Sequence, residues 1–270
     1  MATTVLDIVR LTPKTNCGQC GYPTCMAFAA AVVTGRAGRG ACPHLPEDPS
    51  APEAAGADDP DTALARDLRR RTAGLDLAAL APVVGARYDE EAGTPWLVLP
   101  YLGRRIRVGP AGAAADDGRE LDPRDQILLH NYLFFCRTGE VEGRWIGLES
   151  LPNSISKVTT LRRAAEERLA GAFAGRPGDL AEAASRLGGT VPPACEADLC
   201  IEIPVLPRVP LRLQFWDADP EDGFPARVKV LFDGAVDRVL DLESTVFAAE
   251  RTAEALLDLD PAESAGRRTS

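Results

Sequence analysis

Four of the seven cysteines in this 270-residue chain crowd its N-terminus, with the spacing Cys17-x2-Cys20-x4-Cys25-x16-Cys42. Three fall in the stretch NCGQCGYPTC, and Pro43 follows the fourth. Three nearby thiolates, plus a distant one backed by proline, suit a cubane iron–sulfur cluster: a compact loop holds three corners and a later segment returns with the last. Two other chemistries compete. Zinc accepts four thiolates but usually draws them from two short Cys-x2-4-Cys knuckles, whereas the grouping here is three and one. Two disulfides would need an oxidising compartment. The neighbouring residues favour the cluster. Gly18 and Gly21 let the backbone curl so that amide N–H groups aim at sulfur, and Asn16 adds a polar contact. Pro23 suits the first position of a helix running through PTCMAFAAAVVT to Gly35. Cys25 then stands in the first turn, where the helix dipole favours a thiolate. The stretch GRAGRG supplies the flexible return to Cys42.

Residues 5 to 45, and the run LTPKTNCGQCGYPTCMAFA above all, resemble the four-cysteine iron–sulfur domain at the N-terminus of the corrinoid iron–sulfur protein large subunit. The B subunit of the Rnf electron-transport complex carries the same module. The resemblance implies a [4Fe–4S] cluster with Cys17, Cys20, Cys25 and Cys42 as its ligands, and a role near corrinoid or one-carbon metabolism. It stops past residue 45. No long βα repeat follows for a barrel, and no room remains for a cobalamin domain, so methyl carriage is not implied. From about 62 to 258 the chain is similar to an uncharacterised family, a domain of unknown function often found behind this cluster module. LDPRDQILLHNYLFFCRTGEVEGRWIGLESLPNSI and IPVLPRVPLRLQFWDADPEDGFPARVKVLFD carry that similarity, which implies no chemistry.

The elements that must position the cysteines belong to an uneven chain. Net charge is −10. Arg10, Lys14, Arg36 and Arg39 oppose Asp7 alone in residues 1–45, so a head of +3 precedes a body of −13. That balance argues against general nucleic-acid binding and against docking on anionic membranes, both of which want a basic face. No apolar run reaches the eighteen or so residues of a membrane helix. MATTVLDIVRLTPKTN lacks a basic leader and breaks its apolar stretch at Asp7, so it does not read as a secretory signal. The expected location is the cytoplasm, where clustered cysteines usually mean metal or catalysis.

The organisation expected is a cluster-binding domain over 1–45, a Pro-, Ala- and acid-rich linker over 46–61, an α+β domain over 62–258 and a flexible tail over 259–270. Within the third part, TALARDLRRRTAGLDLAALAPVVG reads as one or two short helices. ARYDE, TPWLVLPYLG and RRIRVGP read as an antiparallel group of strands. LDPRDQILLHNYLFFCRTGE is the clearest helix, with Asp122 to cap it, Pro123 at its first position and Gly139 to end it. Ile127, Leu128, Leu129, Leu133, Phe134 and Phe135 cover nearly its whole circumference, which predicts a central, buried helix. SKVTTLRRAAEERLAGAFAG and GDLAEAASRLGG are two further helices, DLCIEIPVL, VPLRLQFWD and ARVKVLFDG three strands, and LESTVFAAERTAEALLDLD a closing helix. Strands and helices arrive in blocks, so the fold class expected is α+β: a small helix-loop cluster module plus a larger domain with antiparallel sheet.

The larger domain offers weaker candidates. Cys136 reads as a small buried hydrophobe. Cys195 and Cys200 flank a strand start, and a second metal site there would need ligands from elsewhere, with only His44 and His130 in the chain. His130 and Asn131 read first as interior polar groups with hydrogen-bond partners, and second as a polar site with Arg144, Trp145 and Glu149. Asp217, Asp219, Glu221 and Asp222 could form a cation loop but lack calcium-loop spacing, so a solvated hairpin connection is the reading. The function expected is a one-electron relay serving a protein redox partner. The alternatives are a cluster-dependent enzyme whose α+β domain binds a substrate, and an accessory or sensory protein with a structural cluster.

Overall fold

The computed structural model describes residues 4–15, 17–22, 24–33, 37–45, 59–116, 118–137 and 140–261. It divides into two compact units, Met1–Pro60 and Asp61–Ser270. The stretch read as a linker, most of the tail, and Gly139 as a helix end lie outside the described residues.

The first unit holds two helices, α1 (Val5–Leu11) and α2 (Cys25–Val33), and a short 3-10 turn at Arg39–Ala41. Thr4 starts α1 with a reciprocal cap: the Asp7 N–H donates to its hydroxyl, and the Asp7 carboxylate accepts from the Thr4 N–H at 3.0 Å. Ile8 from α1 and Phe28 and Ala29 from α2 are buried together with Cys42.

The second unit opens with α3 (Pro60–Thr72) and α4 (Leu77–Leu80). A four-stranded antiparallel meander follows: β1 (Arg87–Glu91), β2 (Thr94–Tyr101), β3 (Arg104–Gly109) and β4 (Gly112–Ala115). Its first two turns take positive φ at both central residues, Ala92 and Gly93, then Leu102 and Gly103. That matches the right-handed twist of the flanking strands.

The helix α5 (Pro123–Phe135) comes next, its N-cap Asp122 accepting from the Arg124 N–H at 2.8 Å. It is central as expected, but the all-round burial does not hold at its end: Phe135 is 42% exposed. The last turn projects past the core, where Phe134 packs partly buried beneath the Arg71 guanidinium.

A second antiparallel sheet comprises β5 (Trp145–Gly147), β6 (Leu199–Leu206), β7 (Val209–Trp216) and β8 (Arg227–Asp233), in the order β5-β8-β7-β6. The strand alternation is realised in register: Leu211 faces Phe232, Leu213 faces Val230 and Phe215 faces Val228, all of them buried. The helices α6 (Ile155–Leu161) and α7 (Glu167–Phe173) are joined through a π turn at Arg162–Glu166, where the sequence reads as one regular helix. The buried residues Leu161, Ala165, Leu169 and Phe173 are spaced by four. On a regular helix each such step overshoots a full turn by about 40°, and one wide turn corrects the drift. It also brings Glu166 inward, where its carboxylate accepts from the Val230 N–H at 3.0 Å. The helices α8 (Pro177–Arg186) and α9 (Leu242–Asp258) complete the unit, and one apolar core runs through both sheets. The fold class is α+β.

Candidate metal centre

The cysteine loop leaves α1 and is brought onto α2 by backbone that only certain residues allow. Gly18 and Gly21 have φ of +73° and +81°, and the Gly21 N–H donates to the Gly18 carbonyl at 2.9 Å. Open space surrounds both Cα atoms, so it is the left-handed backbone, not crowding, that asks for glycine here. Thr24 caps α2 by accepting from the Ala27 N–H at 3.0 Å, which leaves Cys25 as the first helical residue. The 3-10 turn delivers the fourth thiol, with the Cys42 N–H donating to the Arg39 carbonyl at 3.2 Å. One contact ties the two cysteine-bearing segments directly: His44 Nε2 and Gln19 Oε1 lie 2.9 Å apart. The sequence reading gave Gln19 no role and named His44 only as a possible ligand for a second metal site. Gln19 stands between Cys17 and Cys20 and His44 just past Cys42, so a polar pair at loop positions beside the ligands was the available signal.

The four thiols differ in burial. Cys42 is buried, Cys20 and Cys25 are half-buried, and Cys17 is exposed; all four are free of disulfides. Cys20 packs with Tyr22 against the Ile8, Phe28 and Cys42 cluster. Among the described residues no group of three or more His, Cys, Asp or Glu side chains is gathered so as to hold a metal ion. A cubane spreads its four thiolates over the corners of a polyatomic core, further apart than one ion would hold them. Four cysteines outside any disulfide on two tethered segments, with an apolar wall behind and Cys17 toward solvent, fit such a group in donor type and number. Asn16, Pro23 and Arg36 lie outside the described residues.

The other candidates resolve into structural roles. His130 is fully buried, its Nδ1 2.8 Å from the Thr72 hydroxyl. Burial, and then the charge of Arg69, push its pKa down to about 4. Asn131 donates to Ser244 at 3.0 Å, Arg144 pairs with Glu142, Trp145 lies under Arg212, and Glu149 pairs with Lys229. These five residues find separate partners, so the polar site drawn from them is not formed, and the reading as satisfied interior groups stands for Asn131. Cys136 is buried at the end of α5. Cys195 and Cys200 are bonded to each other, with Cα atoms 5.6 Å apart. That overturns a second metal site on them, and the expectation of reduced thiols does not extend to this pair. In the acidic loop, Asp219 accepts from the Glu221 and Asp222 N–H groups at 3.0 and 3.2 Å, and Asp217 from the Gly175 N–H at 2.7 Å. Asp219 thus closes the hairpin connection, and Asp217 ties its base to the loop after α7.

Fold and thiols together define a two-part protein, a small iron–sulfur-type cysteine module ahead of an α+β domain. Residues 76–255 match the family model "Domain of unknown function (DUF3786)", which covers most of the chain, and the protein belongs to that family. Residues 13–44 match a model described as "Putative Fe-S cluster". The corrinoid/iron-sulfur protein large subunit of Moorella thermoacetica is 47% identical over 45 residues, 17% of this chain and 10% of that protein. The acetyl-CoA decarbonylase/synthase complex subunit gamma of Methanocaldococcus jannaschii is 52% identical over 40 residues, 15% of this chain and 8% of that protein. The chain thus spans a tenth or less of the length of these relatives. No solved structure matches. Among the described residues no helix is long and apolar enough to cross a membrane.

Proposed function

We propose that residues 1–45 bind a [4Fe–4S] cluster through Cys17, Cys20, Cys25 and Cys42 and exchange single electrons with a protein partner in one-carbon or corrinoid metabolism. The observation that carries this reading is the placing of four cysteines, none of them in a disulfide, on two segments joined by Gln19 and His44. Its support from outside the chain is the likeness to subunits named for corrinoid/iron-sulfur and acetyl-CoA decarbonylase/synthase proteins.

When bound, the cluster supplies a one-electron couple. The chain's own residues set the conditions for it. The left-handed turns at Gly18 and Gly21 curl the loop, and any amide N–H that this aims at a cluster sulfur favours the more negative, reduced form. The start of α2 adds the positive end of a helix dipole at Cys25. Arg10, Lys14 and Arg39 offset part of the charge of four thiolates and favour approach of an acidic surface. The apolar cluster of Ile8, Phe28 and Ala29 keeps water from one side, and the exposed Cys17 makes its edge the exit for an electron. In this reading residues 46–61 are a linker, 62–258 a separate domain, 259–270 a tail, and the protein works in the cytoplasm.

A serine series on anaerobically reconstituted full-length protein tests the ligand set. Replacing Cys17, Cys20, Cys25 or Cys42 is expected to lower iron content and bleach the visible absorbance, whereas Cys136→Ser is expected to change neither. Full loading after loss of any one of the four would remove that residue from the set.

A further inference from the structure

We propose that Cys195 and Cys200 form a thiol–disulfide exchange site, opened and reclosed by the dithiol of a partner protein that attacks at Cys195. From the cluster reading this borrows only the reducing compartment, where disulfides are as a rule transient and serve catalysis or redox sensing.

The two ends of the bond differ. Cys195 is exposed and lies in the irregular stretch between the Thr190–Glu202 bridge and β6. Cys200 is 1% exposed and sits within β6, in register with Gln214 of β7. An incoming thiol thus meets the Cys195 end. The fold does not depend on the bond. Thr190 and Glu202 exchange two backbone hydrogen bonds, at 2.9 and 2.8 Å, and the β6–β7 ladder continues on both sides of Cys200. The two cysteines are five positions apart, and so short a loop constrains the unfolded chain less than a long one does.

The surroundings of Cys195 suit the opened form. The Ala197 N–H donates to its sulfur at 3.3 Å, and the Ala197 carbonyl oxygen lies 3.2 Å from the same atom. A sulfur bonded to Cys200 has no proton to give that carbonyl. A thiol has one, and a thiolate keeps the N–H. Both partners of a reduced Cys195 therefore come from its own loop and ask no movement of the sheet.

The exchange balances in two steps. A partner thiolate bonds to Cys195 Sγ, and the bond to Cys200 breaks with its electron pair passing to Cys200, which takes up a proton. The partner's second thiolate then attacks the partner sulfur of the mixed disulfide and expels Cys195 as a thiolate, held by the Ala197 N–H until it too is protonated. Two electrons and two protons pass in all: the partner dithiol becomes a disulfide and the pair becomes two thiols. Glu196 and Asp198 flank the site, and Asp198 accepts from the Asp217 N–H at 2.8 Å, which sets the acidic loop alongside. The rim is acidic, and the partner surface that fits it is basic.

The test is native-state reduction of the full-length protein with dithiothreitol, followed by alkylation and peptide mapping. Cys195 and Cys200 are expected to become alkylated at millimolar dithiothreitol while tryptophan fluorescence stays native, and to re-form their bond when oxidised glutathione is added before the alkylating agent. A pair that opens only in unfolding urea is a structural staple and would overturn the proposal. With cystamine, Cys200→Ser is expected to take up a mixed disulfide at Cys195, and folded Cys195→Ser to react at Cys200 at least about tenfold more slowly. Equal rates in the two variants would refute attack at Cys195. Cationic cysteamine should open the bond several-fold faster than anionic glutathione at low salt, with the gap closing as salt is raised; no gap would overturn the basic partner. Iron content, read on the same samples, separates failure here from failure of the cluster reading.

Discussion

Lowering the pH should destabilise the second unit through one ring, that of His130. Thr72 Oγ1 lies 3.1 Å from the Leu68 carbonyl and 2.8 Å from His130 Nδ1. With its single proton given to Leu68, the hydroxyl accepts from Nδ1–H, and the ring is neutral with a bare Nε2. That Nε2 is buried without a partner, so a second proton there would find neither water nor an acceptor. The folded chain takes up this proton at about pH 4, against 6.5 for a free ring. Between those values the unfolded chain binds more protons, so stability rises with pH: it is fully present above about 6.5 and is lost as pH falls toward 4. The whole loss is worth about 3 kcal/mol, and about 2 kcal/mol of it is spent by pH 5, against a typical total of roughly 5–15 kcal/mol. Urea unfolding followed by tryptophan fluorescence isolates this unit, because Trp96, Trp145 and Trp216 all belong to it. The unsubstituted protein should lose about 2 kcal/mol between pH 7 and 5, and His130→Gln should be nearly flat over that range. Equal slopes in the two proteins would refute the reasoning.

Three further outcomes follow from the same geometry. The buried Asp125 accepts from the Tyr101 hydroxyl at 2.6 Å and from Arg251 Nε at 2.8 Å. Asp125→Asn keeps an acceptor for Tyr101 but removes the charge that, against the cost of burial, holds Arg251 protonated well above its usual range; a cost of about 2–3 kcal/mol is expected. In a double-mutant cycle Arg251→Gln should then cost less in that background than alone. Gly103→Ala must meet the Arg186 carbonyl and should cost at least about 2 kcal/mol in thermal unfolding. Gly93→Ala, at φ +76° with nothing within 4 Å, should cost only about 1 kcal/mol. Alkylation of the denatured protein before and after reduction should differ by two thiols, those of Cys195 and Cys200, and serine at both should cost about 2 kcal/mol.

The parts of this fold that a linear reading reaches are those whose determinants are local. Asp122 and Pro123 mark the start of α5 because capping is a contact between near neighbours, and Leu211, Leu213 and Phe215 mark a strand face because pleating has a period of two. The helix α1 also carried a local signal, the Thr4 and Asp7 capping box, which a search for a leader segment passed over. Features made by distant partners were out of reach. The strand β5 has only three residues and exists through pairing with β8. The π turn at Arg162–Glu166 answers to a buried face spaced by four and to Val230, neither of which shows as a break in composition. Cys195 and Cys200 lie close in sequence, but whether they bond depends on how β6 enters its sheet. The cysteine module was the most legible site, since spacing alone groups its thiols. The buried network of Asp125, Tyr101 and Arg251 was invisible, because its members come from α5, β2 and α9, joined only by folding.

Iron and acid-labile sulfide analysis of anaerobically purified full-length protein, with electron paramagnetic resonance after dithionite reduction, tests the central claim most directly. The account predicts about four irons and four sulfides per chain and a spin-half signal that disappears on reoxidation. One zinc per chain with no sulfide would contradict it.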